Sequence, residues 1–197
     1  MNRLPTDVRK EQIKRAVLKI ISRDGLSSLS TRRLAREVGV SEGTLFRHFK
    51  SKQEMLTGII EDVHDKLMTQ LAEVAESDLP PSEKLLSFLC THVKYLIANK
   101  GITILLFSEA AHLNDNELKA HIHHIMLKQK EFVGNIFTEG IRNGKWDPEL
   151  DVDNIVMLYM GIPITLNIEL VLNPDGVKTD NFCRRMLCLL ERVLRKQ

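Results

Sequence analysis

Apolar residues recur at helical spacing along this chain, and no Val/Ile/Thr-rich segment alternates as a strand would. Ile13, Ala16, Val17, Ile20 and Ile21 fall at i, i+3, i+4, i+7 and i+8, which predicts a helix with one buried face ending at Asp24-Gly25. Ser30 or Thr31 caps a short helix whose inward positions are Leu34, Ala35 and Val38, and Gly39 supplies the left-handed stop. Ser41 caps a second short helix with Leu45 and Phe49 inward. Ser51 and Glu54 have capping-box spacing, so a long helix starts at Lys52 and runs to Glu76, with Met55, Leu56, Ile59, Ile60, Val63, Leu67, Leu71 and Val74 inward.

Further helices follow. Leu79-Pro80-Pro81 breaks the long one, and Ser82 with Glu83 restarts a helix to Ala98. Ile102 to His112, Asp115 or Asn116 to Asn143, Asp151 to Leu172, and Asp180 to Arg195 complete a set of nine. Gly161 and Pro163 predict a kink in the penultimate helix. The fold class is all-α: a three-helix helix-turn-helix domain over 1–51, then a helical ligand-binding and dimerisation domain over 52–197. The apolar fraction of 43% in 197 residues is ample for that second core.

The paired short helices with a tight turn predict DNA binding, because the turn lets the second helix stand proud and enter a major groove. Charge agrees. Residues 1–60 hold thirteen Lys or Arg against six Asp or Glu, whereas the remainder holds fifteen against twenty. A net charge of only +2 therefore hides a basic head on an acidic body, as expected when one end meets phosphate.

The stretch LSTRRLAREVGVSEGTLFRHFKSKQEML, residues 29–56, resembles the DNA-binding domain of the TetR family of transcriptional regulators. The match lies in the turn VGVS, the following GTLF, then RHF, and a Lys three residues beyond Phe49. That family usually carries Tyr where Phe46 stands, so one phenolic phosphate contact is missing here. The resemblance implies DNA contacts from Thr31, Arg32, Arg33, Ser41, Gly43, Thr44, Phe46, Arg47, His48 and Lys52. Arginines opening the first short helix reach phosphate or a guanine edge, and the resemblance favours Arg32 for the base. Hydroxyls of Ser41 and Thr44 suit phosphate oxygens, Gly43 permits close approach, and Lys52 clamps a phosphate. Arg3 lies in an arm before the first helix.

The last two helices are unusually apolar. Val152, Ile155 and Tyr159 on one, with Phe182, Met186, Leu189, Leu190 and Val193 on the other, make stripes wider than one core contact needs. A homodimer is expected there, and the resemblance implies a four-helix bundle between protomers. Two heads roughly 34–36 Å apart would read successive major grooves of a palindromic operator. The resemblance also implies a repressor with a small-molecule pocket. Candidate walls are Leu67, Leu71, Phe88, Tyr95, Leu105, Phe107, Phe132, Ile136, Met157 and Met160, which suit a mainly apolar effector.

Glu109, His112, His121 and His124 suggest a metal- or pH-responsive alternative, since imidazole and carboxylate suit Zn, Ni or Co. The default for such residues is a solvated helix face. An enzyme is not expected: the chain shows no Gly-rich phosphate loop, nucleophile elbow or HExxH pair, and calls for no cofactor. A protein-interaction module that kept the fold is the remaining alternative. Cys90, Cys183 and Cys188 have no metal-ligand spacing and are expected as reduced thiols in a cytoplasm. No secretory leader and no membrane-spanning stretch are expected.

Overall fold

The computed structural model describes residues 5–99, 103–104, 107–108, 116–173, 175–177 and 180–195, apart from the side chains of residues 26, 63 and 64. Regular structure among them is helical: α1 (Thr6–Asp24), α2 (Thr31–Val38), α3 (Glu42–His48), α4 (Lys52–Ala75), α5 (Pro81–Ala98), α6 (Asn116–Arg142), α7 (Val152–Leu172) and α8 (Phe182–Leu194). The expected helix over Ile102 to His112 lies largely outside the described residues, although Thr103, Ile104, Phe107 and Ser108 are helical.

Local chemistry sets most helix ends. The Ser30 Oγ accepts from the Arg33 N–H at 3.2 Å, and Gly39 stops α2 in the left-handed region at φ 76°. Asp151 caps α7 by accepting from the Asn154 N–H at 2.9 Å. Pro81 occupies the first turn of α5, where its missing N–H costs nothing. The last helix departs from expectation: Asn181 rather than Asp180 occupies the capping position, at φ 53°, and makes no side-chain cap. Asn tolerates left-handed backbone better than other non-glycine residues, so it absorbs the turn.

The chain divides into two compact units between Asp62 and Val63, inside α4. This lies beyond the expected boundary at Ser51 because the first turns of α4 complete the head's core. Met55, Leu56, Ile59 and Ile60 are buried, and Lys14 of α1 reaches Asp62 at 2.8 Å. In the head, α1 buries Ile13, Ala16, Val17, Ile20 and Ile21 as its spacing predicts, and packs on α2 and α3.

In the second unit α5 packs on α6, α7 and α8. Lys84 faces Glu139 at 2.8 Å and Phe88 meets Phe132, so α5 and α6 run antiparallel. Tyr159 lies edge-on to Phe88 and Phe137, with its hydroxyl donating to the Leu85 carbonyl at 2.8 Å. That bond satisfies a polar tip buried in an aromatic cluster. α7 continues through Pro163 without a break in its helical assignment. With Asp153 and Glu169 as its only charges, α7 is long and apolar enough to cross a membrane by length and composition, which corrects the expectation that no stretch qualifies. Its apolarity has a packing cause: Ile155, Val156, Tyr159, Met160, Leu166 and Leu170 are buried, and α7 packs on α5 and α6.

His92 of α5 is buried, and desolvation pushes its imidazole down to about 4. The unfolded chain takes up a proton there below about 6.5, whereas the folded chain stays neutral until about 4. Stability contributed by the neutral ring is thus present above pH 6.5 and is lost as pH falls through that window. Between pH 7 and 5 His92 should cost the fold about 2 kcal/mol, from about 1.4 kcal/mol per pKa unit. Urea unfolding at both pH values, wild type against His92→Gln, checks this; equal pH dependence in the two would contradict it.

Candidate nucleic-acid interface

Helices α2 and α3 turn their apolar faces inward through Leu34, Ala35, Val38 and Leu45, with Phe49 closing the end. Backbone bonds tighten the turn between them: the Val40 N–H donates to Ala35 O at 2.9 Å and the Gly39 N–H to Arg36 O at 3.2 Å. Apart from Phe46, the exposed positions are small, polar or charged. Arg32, Arg36, Ser41, Gly43, Arg47 and Lys50 are exposed, and Phe46 presents a ring that is 47% accessible.

Along α3 three side chains are chained together. Ser41 Oγ and Thr44 Oγ1 are 3.0 Å apart, and the Arg47 guanidinium donates to Thr44 Oγ1 at 2.9 Å. Ser41 Oγ also accepts from the Thr44 N–H at 3.2 Å and so caps α3. The row is pre-ordered at the helix surface. A Cβ at Gly43 would meet nothing within 4 Å, so the protein itself leaves that position open.

Two expected contacts are engaged within the head. Thr31 Oγ1 donates to Glu42 Oε2 at 2.6 Å, linking the starts of α2 and α3. The Arg33 guanidinium pairs with Asp24 at 2.6 Å, beside Arg23. Arg32 carries no such partner in the ion pairs of the described head and is exposed. Lys52 sits half-exposed at the start of α4.

The structure adds residues of α1 that lie outside the expected contact set. His48 is half-buried, with its Nδ1 enclosed and unbonded among the described residues. Burial lowers its pKa first, and then the nearby charges of Arg9, Arg47 and Lys10 lower it further. Lys10 also stands 5.5 Å from the Phe49 ring centroid. Arg9 and Lys10 of α1 therefore lie with Arg47 around His48 at the end of α3, and their charges hold its imidazole toward the neutral form. The only sequence signal was the charge excess of the head, which does not say which cations converge.

Residues 13–59 match the family described as bacterial regulatory proteins of the tetR family, and residues 48–171 match a YsiA-like protein C-terminal region. The chain belongs to the TetR family. It is a DNA-binding transcriptional regulator and not an enzyme. Among its relatives, the nucleoid occlusion factor SlmA of Vibrio campbellii is 30% identical over 142 residues, 71% of this chain and 72% of that protein. A tetR-family regulatory protein from Rhodococcus RHA1 has the same fold, with a TM-score of 0.82 at 19% identity, covering 96% of this chain and 98% of that one. The Bacillus subtilis regulator FadR, solved with stearoyl-CoA, matches with a TM-score of 0.74 at 23% identity over 91% of this chain and 96% of that one.

In this TetR-family chain the second unit carries two exposed apolar stripes. Met157, Leu158, Ile164, Ile168 and Leu172 are exposed on α7, and Leu189 and Val193 on α8. On α8, Phe182, Met186, Leu189 and Val193 share one face at helical spacing, while Leu187, Leu190 and Leu194 are buried on another. Three expected interface residues are therefore corrected: Ile155, Tyr159 and Leu190 are at most 5% accessible and belong to the protomer's own core. Val152 is half-buried and its side chain neighbours Gly134 of α6.

Of the expected pocket walls, Leu67, Leu71, Phe88, Ile136 and Met160 are buried, and Tyr95, Phe107 and Phe132 are half-buried. Met157 does not join them; it is 60% accessible on the outer face of α7. Helical phase explains the error, since Met157 lies two residues from both Ile155 and Tyr159 and points away from them. Leu105 lies outside the described residues, as do Glu109 and His112 of the histidine cluster. Of its other members, His121 is half-buried and His124 exposed on α6. Among the described residues no three His, Cys, Asp or Glu side chains assemble into a metal-binding group.

Proposed function

We propose that this chain is a homodimeric repressor, working in the cytoplasm without membrane attachment, which leaves a palindromic operator when a mainly apolar small molecule binds its second unit. The ordered Ser41–Thr44–Arg47 row on an exposed α3 carries the reading, because it offers hydroxyl and guanidinium donors where a groove would lie. Dimerisation through the α7 and α8 stripes supplies the second half-site reader. The aromatic interior around Phe88, Phe132 and Tyr159 suits an apolar effector. Similarity in fold to a regulator solved with stearoyl-CoA supports that class of molecule. The effector acts by population shift: it binds one dimer conformation preferentially, and the operator the other.

Native mass spectrometry of protein purified from a bacterial cytoplasm tests this. A dimer carrying an apolar organic mass, released from operator DNA when that compound is added back, is the expected result. A monomer would overturn the palindrome argument, and bound zinc or nickel would instead favour the histidine alternative.

Contacts on α3 have their own test. Arg47→Ala should weaken binding to a selected operator about tenfold, for one lost charge-assisted contact of about 1.4 kcal/mol, and should flatten its salt dependence. Gly43→Ala should leave the fold unchanged or slightly firmer, since the protein leaves room for a methyl there, yet weaken an operator complex in which DNA approaches the α3 backbone closely. Fluorescence anisotropy with labelled operator reads both; unchanged affinity in both would place the docking face elsewhere.

A second reading, nucleoid occlusion, is favoured by the 30% identity to SlmA. Mapping bound sites across the chromosome separates them: a few promoter sites support the repressor, and many sites dispersed over the chromosome support occlusion.

A further inference from the structure

Asn167 is a polar residue set into the buried side of α7. It lies in a row at helical spacing with Met160, Pro163 and Leu170, all buried, and is itself only 6% exposed. Its Nδ2 donates to Thr103 Oγ1 at 2.6 Å, and Thr103 is half-buried, as is Phe107 four residues on. The other branch of the amide is different. Asn167 Oδ1 is shut off from solvent and accepts no hydrogen bond among the described residues. A buried acceptor left empty destabilises a fold, so this atom calls for a donor that arrives from outside the chain.

A second acceptor lies near it along the helix. Pro163 has no N–H, so the Tyr159 carbonyl four residues earlier lacks its usual helical donor. Side chains on a helix lean toward its N-terminus, which carries the Asn167 amide over the turn that holds Pro163. No buried charge accompanies these acceptors on α7: its carboxylates, Asp153 and Glu169, are exposed, and it has no Lys or Arg. An anion would meet lone pairs with no cation of α7 to hold it, and an ammonium would find no carboxylate there. A neutral donor fits. We propose, resting on the apolar-effector reading above, that Asn167 is the polar anchor of the effector site, its Oδ1 accepting from a hydroxyl or amide N–H on an otherwise apolar molecule.

The position suits a signal as well as a grip. Ile164 and Ile168 flank Asn167 on α7 and are exposed, within the stripe proposed for dimerisation. An occupant held at Asn167 bears on the same turns of α7 whose outer side would meet the second protomer. Effector and partner copy then act on one helix from opposite sides, which is the link that a population shift needs.

Calorimetric titration of the full-length protein with octanol, octyl methyl ether and octanoate tests the anchor. The three share one apolar tail, but only octanol brings a neutral donor. Octanol should bind about tenfold more tightly than the ether, the worth of one buried hydrogen bond, and octanoate more weakly than octanol. In Asn167→Leu combined with Thr103→Val, apolar groups of similar shape replace both partners of the internal bond, so Tm should hold while octanol loses its advantage. Equal wild-type affinity for octanol and the ether would leave Oδ1 to a buried water and overturn the anchor. Tighter binding of the ether or of octanoate would overturn it too, as would a double variant that still prefers octanol. Failure of all three probes to bind would instead overturn the apolar-effector reading itself. The comparison of probes on the wild-type chain stands even if the double variant folds poorly.

Discussion

Gly140→Ala should destabilise the second unit by about 3 kcal/mol, an overpacking cost at the upper end of its usual range. A Cβ built on Gly140 falls 2.1 Å from two ring carbons of Trp146, which no rotamer change of the alanine can relieve. The ring has no room to retreat. Trp146 is 4% accessible and tilts against Phe137 at 5.4 Å between centroids, and the next residue, Asp147, donates its backbone N–H to Leu194 O at 3.0 Å. Trp146 is the only tryptophan in the chain, so its emission should shift red as it is displaced. Gly134→Ala in the same helix is the matched control. Its Cβ would meet Val156 and Val152 at 3.7 and 3.9 Å, ordinary contacts, and the better helix former should stabilise by up to about 1 kcal/mol. Urea unfolding followed by fluorescence decides the matter; equal effects of the two substitutions would mean the Trp146 contact does not control Gly140.

Met157→Glu combined with Leu189→Glu should convert a dimer into a folded monomer and lower operator affinity by at least 100-fold. Both side chains are more than half accessible in the protomer, so carboxylates there cost the isolated fold little. Across a two-fold interface each acid would meet an apolar partner, and burying those charges unpaired costs several kcal/mol. Losing the second head removes the effective-concentration gain of two linked half-site readers. Light scattering after size exclusion reads the mass, and anisotropy with labelled operator reads the affinity. A double variant that stays dimeric would show that copies meet through another surface.

Much of the molecule was legible from residue order because the signals are local. The α1 spacing, the Ser30 and Ser41 caps and the left-handed Gly39 are decided within a few residues, and the structure keeps all of them. The same locality made the helix-turn-helix, and hence membership of the TetR family, readable without coordinates. Periodicity could not say which of several apolar faces on one helix turns inward. On α7 nearly every face is apolar and on α8 the apolar stripe spans both a buried and an exposed row, so Ile155, Tyr159 and Leu190 passed for interface residues and Met157 for a pocket wall. The phase of each helix against its neighbours settled those assignments.

Sequence alone determined an all-helical chain with a basic DNA-reading head, because capping, turn and amphipathic patterns are short-range physics. Tertiary structure alone decided which distant groups meet. It turned Arg33 toward Asp24 and Thr31 toward Glu42, gathered Arg9 and Lys10 beside His48, and set Trp146 against Gly140 and Phe137. Those pairings depend on how helices cross, and crossing is fixed by the packing of whole faces rather than by any local run of residues.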